Sequence, residues 1–211
     1  MKYTAQVVLI NPEGLVLGVS RKDNHKDFGL PGGKMEDEDM GNIQITATRE
    51  TKEETGLDVR NLQMIFATHK HGYMSYTYLG QYSGEINHNE PHVVKWVPMQ
   101  VLINGCFGKY NELVAESLED MGVDFQMDID EETLIEELNE FMKNHTFNGF
   151  NVNVRQITKD KDWFGKTQYT LFLTGIVEET CDFDSRFTDG IDAIGEQHGI
   201  KVRIPSYYYS K

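Results

Sequence analysis

Three glutamates, Glu50, Glu53 and Glu54, crowd one short stretch of the chain. On a helix their spacing of i, i+3 and i+4 puts all three on one face. Carboxylates held so close repel one another, and a surface helix built for stability would interleave lysines with them. Here the neighbouring cations are Arg49, which can pair with Glu53 one turn on, and Lys52, which lies off the acidic face. A hard divalent cation is the physical reason to keep such a cluster, because its ligands are carboxylate oxygens and water. Mg²⁺ usually takes one or two protein carboxylates together with substrate phosphates, so the chemistry indicated is that of phosphate. Upstream, Pro31-Gly32-Gly33 lets the backbone approach a ligand closely, and a carbonyl there can act as a further oxygen ligand. The plainer alternative is an acidic, solvent-facing helix after a glycine turn.

These residues need a scaffold. In the first half, Tyr3–Ile10 and Leu15–Ser20 read as strands around the turn Asn11-Pro12-Glu13-Gly14. A loop over Arg21–Asp39 leads to a helix from Asn42 to Thr55, which Gly56 ends as a residue free to take positive φ. Strands come next at Leu62–His69, Tyr73–Tyr82 and His92–Val97, and Glu112–Met121 closes this half as an amphipathic helix. The second half reads β-α-β-β-α-β. A strand Val123–Ile129 and a helix Asp130–Asn144 come first. Strands Phe150–Thr158 and Gln168–Val177 flank a polar turn at Lys159–Lys166. A helix Phe187–His198 and a strand Lys201–Pro205 complete an order compatible with a ferredoxin-like sandwich. The expected domains are therefore 1–120 and 121–211.

Composition sets the class. The 211 residues carry 34 Asp+Glu against 20 Lys+Arg, a net charge of −14, with 39% hydrophobic residues. No basic run exists, which disfavours non-specific nucleic-acid binding. No apolar stretch approaches the length of a membrane span, and the N-terminal segment lacks the pattern of a secretory leader. Cys106 and Cys181 stand too far apart for a cysteine-rich zinc site, and two free thiols fit a reducing, cytoplasmic setting.

The segment Phe28-Gly29-Leu30-Pro31-Gly32-Gly33-Lys34-Met35-Glu36, together with Arg49-Glu50-Thr51-Lys52-Glu53-Glu54-Thr55-Gly56-Leu57, resembles the signature of the Nudix hydrolases. That family hydrolyses nucleoside diphosphates linked to another moiety. The resemblance runs from Tyr3 to about Leu118, with Trp96-Val97-Pro98 similar to a step the family shows after its last strands. It implies an α/β/α sandwich with a mixed sheet, succeeded here by a small α+β domain. It also implies that Glu50, Glu53, Glu54 and the Gly32 carbonyl hold Mg²⁺, with Mn²⁺ able to substitute. Glu50 or Glu53 would activate water, and Arg49 would orient Glu50.

Three departures stand out. Fifteen residues separate Gly33 from Arg49 where the family has thirteen. The family's first glutamate falls on Gly41, leaving Glu36, Asp37, Glu38 or Asp39 to substitute, with Glu38 and Asp39 the candidates for the metal. Thr51 occupies an apolar position. Glu90 falls where several family members hold an additional acid.

Substrate selection is less legible. Arg21, Lys22, Lys26 and Lys34 are available to phosphates or to solvent. Tyr73, Tyr76 and Tyr78 are read as sharing one strand face, for stacking on a base or for sheet packing. A proline typical of ADP-ribose-directed members is absent, and Tyr73 stands there, a feature similar to dinucleoside-polyphosphate members. His69 and His71 read as surface residues, and Phe107 and Tyr110 as core. Asp160 and Asp162 read as turn residues, and Asp182, Asp184 and Asp189 lack calcium-loop spacing. Tyr207-Tyr208-Tyr209 fits a terminal strand, a tether or an interface. The expected activity is Mg²⁺-dependent hydrolysis of a nucleoside triphosphate or dinucleoside polyphosphate. The rival is a nucleotide sensor whose second half contacts a partner. That half could regulate, form a homodimer or cap the substrate.

Overall fold

The computed structural model describes residues 1–70, 72–143, 153–161, 167–174, 185–198 and 201–204. The expectations for His71, Asp162, Cys181, Asp182, Asp184 and Tyr207–Tyr209 lie outside these residues. The chain divides into two compact units, Met1–Asp128 and Ile129–Lys211.

In the first unit the strands are β1 (Lys2–Val8), β2 (Val16–Ser20), β3 (Phe28–Gly29), β4 (Gly32–Lys34), β5 (Asp58–Lys70), β6 (Tyr73–Ser83) and β7 (Val94–Val97). The helices are α1 (Ile43–Thr55), α2 (Met99–Asn104) and α3 (Gly108–Asp120). One sheet runs β4-β1-β6-β5, with β1 parallel to β6 and the other pairs antiparallel. A second runs β3-β2-β7, all antiparallel. Side chains alternate across a strand, so β1 feeds two cores. Ala5 and Val7 join Ala47 of α1 and Leu57 on one side, while Val8 joins Leu102 of α2 and Val114 and Leu118 of α3 on the other. That alternation makes the helix–sheet–helix sandwich and fixes α1 against β1, β4 and β5.

Helix α1 has the expected ends. The Asn42 side chain accepts a hydrogen bond from Gln44 N at 3.1 Å, and Gly56 stops the helix at φ 79°. Thr51 is fully buried without leaving an orphaned hydroxyl, since Oγ1 donates to Ala47 O at 2.8 Å. The short strands β3 and β4 fall in the stretch read as loop, and helix α2 lies in one given no element.

The segment read as strand Val123–Ile129 is not a strand. Val123, Phe125 and Met127 pack on the α2–α3 core, and Gln126 N donates to Gly14 O at 2.7 Å while Met99 N donates to Gln126 O at 2.9 Å. The division between units thus falls eight residues beyond 120.

The second unit comprises α4 (Glu131–Lys143), β8 (Asn153–Lys161), β9 (Thr167–Thr174), α5 (Ser185–Gln197) and β10 (Lys201–Arg203). Its sheet order is β10-β9-β8, with β10 parallel to β9 and β8 antiparallel. Among the described residues the first strand of a ferredoxin-like order is absent, because Val123–Asp128 belongs to the first unit. Asp160 lies in β8 facing Arg203 at 3.4 Å, not in a turn. Leu134 and Leu138 of α4, Tyr169 and Leu171 of β9 and Ile191 of α5 form this unit's own core. No helix among the described residues is long and apolar enough to cross a membrane.

Candidate functional site

The acidic run before α1 folds into a single 3-10 turn, Asp37–Asp39, which buries the Asp39 carboxylate completely. Asp39 accepts from Arg49 Nε and Nη2, both at 3.0 Å, and from Thr46 Oγ1 and Glu36 N at 2.9 Å. Met40 at φ 50° and Gly41 at φ 75° then lead the chain into α1. A Cβ at Gly41 would meet nothing within 4 Å, and the acid that turns inward here is Asp39. The Arg49 guanidinium holds the Asp39 carboxyl well below the usual range, and Asp39 in turn raises Arg49. Both oxygens of Asp39, one of the acids expected at the metal, are engaged by Arg49, Thr46 and the Glu36 amide. Glu38 is exposed, 3.7 Å from Arg49 Nε.

Arg49 also organises the glutamate face. Its Nη1 lies 3.1 Å from both Glu50 Oε1 and Glu53 Oε2, and its Nη2 donates to the Lys34 carbonyl at 3.0 Å. Glu54 turns towards β4, where Oε2 accepts from Gly32 N at 2.9 Å. The glycines are required by this approach. A Cβ at Gly33 would stand 2.4 Å from the Glu50 carboxylate, and one at Gly32 would meet Ala5 O at 2.1 Å. Burial raises the Glu50 carboxyl above its ordinary value and pushes Glu54 up to about 7, with the Glu50 charge adding to the latter. Among the described residues no three acidic, His or Cys side chains converge closely enough to hold an ion as they stand. Glu50 and Glu53 are drawn to Arg49, and Glu54 to Gly32.

Around this centre Lys22 and Glu90 form an ion pair at 2.5 Å that raises the lysine and lowers the acid. The charges of both bear on Glu54. The buried His92 ring bonds the Glu54 carbonyl at 2.7 Å and stacks on His88. Sequence reasoning misses His92, which is separated from Glu54 by 38 positions and carries no local pattern. It also leaves Lys22 as one of four loop cations with nothing to single it out.

The other expected residues disperse. Arg21 pairs with the exposed Asp23 at 3.2 Å, and the Lys34 side chain is exposed. Tyr73 is an odd number of positions from Tyr76 and Tyr78, so it cannot share their face. Tyr78 is a core residue, Tyr76 packs beside it, and Tyr73 lies under Lys2 Nζ. Phe107 is 51% exposed and is not core. Tyr110 packs against the α2–α3 core, while its hydroxyl bonds Gln6 and Thr77.

Fold and site together define an α/β protein whose acidic helix lies against a glycine-bearing strand. A profile of the NUDIX domain matches residues 2–115, and the chain belongs to that family, whose members are pyrophosphohydrolases acting on acid anhydrides. It is similar to a Nudix hydrolase family member from Chromobacterium violaceum, at 22% identity and a TM-score of 0.39, over 46% of this chain and 62% of that one. It is also similar to a MutT NUDIX hydrolase from Burkholderia pseudomallei, at 23% identity and a TM-score of 0.40, over 45% and 81%. An ADP-ribose pyrophosphatase from Streptococcus suis is similar at 24% identity and a TM-score of 0.49, over 57% and 91%. No curated protein matches.

Proposed function

We propose that this chain is a Mg²⁺-dependent hydrolase cleaving a pyrophosphate bond in a nucleoside triphosphate or a dinucleoside polyphosphate. The observation that supports this best is the placement of Glu50, Glu53 and Glu54 beside the Gly32–Gly33 backbone. The donor set fits a hard cation. The oxygens are carboxylates, Gly33 leaves room that a Cβ would fill, and burial disfavours charge on Glu50 and Glu54 while Arg49 is the cation that pairs with this face. Glu50, Glu53 and Glu54, with the Gly32 carbonyl, would hold Mg²⁺, or Mn²⁺ in its place. Bound there, the ion would neutralise diphosphate charge and acidify water.

The protein residues do the rest. Glu53, whose side chain is 54% exposed against 15% for Glu50, reaches solvent and accepts the proton of the attacking water. Arg49, held by Asp39, positions Glu50 and Glu53. Glu90 stands near enough to act as a further acid once its pairing with Lys22 opens. The exposed free thiol of Cys106 fits a reducing, cytoplasmic setting.

The test is a nucleotide panel incubated with the full chain, with and without Mg²⁺, and products resolved by chromatography. Metal-dependent release of a nucleoside monophosphate or diphosphate is expected. Tight binding of one nucleotide without turnover would overturn the hydrolase in favour of the sensor, a reading that the Arg49 pairing of Glu50 and Glu53 also accommodates.

A further inference from the structure

A cavity of about 470 Å³ opens beside β4, lined by Gln6, Gly32, Lys70, Phe107, Lys109 and Tyr110 among others. That volume suits a nucleotide-sized ligand. Gly32 belongs to both places, since its N–H is bonded to Glu54 while the residue lines the cavity. The cavity therefore adjoins the strand against which Glu54 is held. Phe107 offers an exposed ring, and Tyr110 is fixed by Gln6 and Thr77, so the walls suit a planar base.

The charge of the lining is the unusual feature. The chain carries 34 acids against 20 Lys+Arg, yet no Asp or Glu lines this cavity and two lysines do. Neither Lys70 nor Lys109 is paired with an acid among the described residues. The diphosphate is already provided for at α1, so these cations await a second anion.

We propose that Lys70 and Lys109 recognise a phosphate monoester on the moiety that occupies this cavity, making the preferred substrate a diphosphate whose nucleoside carries an additional phosphate. This deepens the hydrolase reading and rests on it for the position of the diphosphate. Because Coulomb attraction acts on the ligand whether or not it reacts, binding alone can judge the proposal.

The experiment compares adenosine 3′,5′-bisphosphate and adenosine 2′,5′-bisphosphate with 5′-AMP by calorimetry on the full chain. A tighter Kd by about 5-fold or more is expected for at least one bisphosphate, weakening at high salt. The double variant Lys70→Gln/Lys109→Gln should erase the difference while leaving melting unchanged, since both side chains are exposed. Equal affinities in the parent, or a preference that survives the double substitution, would overturn the proposal. So would inorganic phosphate binding as well as the bisphosphates, which would mark a free-phosphate site. None of these outcomes bears on turnover in the nucleotide panel, so the two readings fail separately.

Discussion

Asp39 and Arg49 are the pair on which the glutamate face depends. Removing the buried Asp39 carboxylate takes the acceptor from four donors, on Arg49, Thr46 and the Glu36 amide, so Asp39→Ala should cost about 1–3 kcal/mol of stability in urea unfolding. Glu38→Ala, at an exposed position, should stay within about 0.5 kcal/mol. The direction of the Asp39 shift sets the pH dependence. Its folded carboxyl titrates below the unfolded value of about 3.9, so its stabilisation is fully present above about pH 4 and is lost as pH falls further. Melting temperature against pH should therefore show a steeper acid limb in the parent than in Asp39→Asn. A parallel pair of curves would place the carboxylate elsewhere. Glu53→Gln keeps shape and loses charge; turnover should fall about 10²-fold or more with melting unchanged. Near-parental turnover would remove Glu53 from the chemistry. The acidic run is legible in the sequence, but the choice of Asp39 is not. It depends on how a two-residue insertion folds, with two successive left-handed residues at 40 and 41.

At the scale of elements, α1 is legible because each of its ends has local chemistry, Asn42 at the start and Gly56 at the close. Strand β4 is not, since three residues carry no period and its existence depends on pairing with Thr4–Gln6. The same pairing separates the two glycines in their consequences. A methyl at Gly33 meets the far end of the Glu50 side chain, which can swing away, so Gly33→Ala should melt near the parent and lose rate. A methyl at Gly32 meets the Ala5 carbonyl, which cannot move without β1, and the backbone there sits at φ 149°. Gly32→Ala should lose stability as well as rate. Thermal melts and rates for the two variants settle this, and equal melting losses would mean β4 yields to both. The tyrosines show the limit of pattern reading. Strand parity is enough to exclude Tyr73 from the face of Tyr76 and Tyr78, but only the packing of Tyr78 against Ala47 and Leu57 shows which face is the core.

For the whole molecule, the sequence divides in two without marking where. Val123–Ile129 alternates apolar and polar residues as a half-buried strand does, and nothing local tells whether its apolar face serves the unit before it or the one after. Tertiary contacts decide. Val123, Phe125 and Met127 complete the α2–α3 core, and Gln126 and Met127 provide partners for Gly14, Met99 and Gln100. A fragment ending at Asp120 would expose the apolar surface these three side chains cover, and free the Met99 and Gln100 amides at the start of α2. Partly buried side chains of this size contribute about 1 kcal/mol each, so the loss is about 3 kcal/mol before the hydrogen bonds are counted. A fragment ending at Asp128 keeps all of it. Urea unfolding of the two fragments should show the longer one more stable by about 3 kcal/mol or more, with single cooperative transitions in both or in the longer alone. Equal midpoints would show that residues 121–128 contribute nothing to the first unit, and would return them to the second as the strand their pattern resembles.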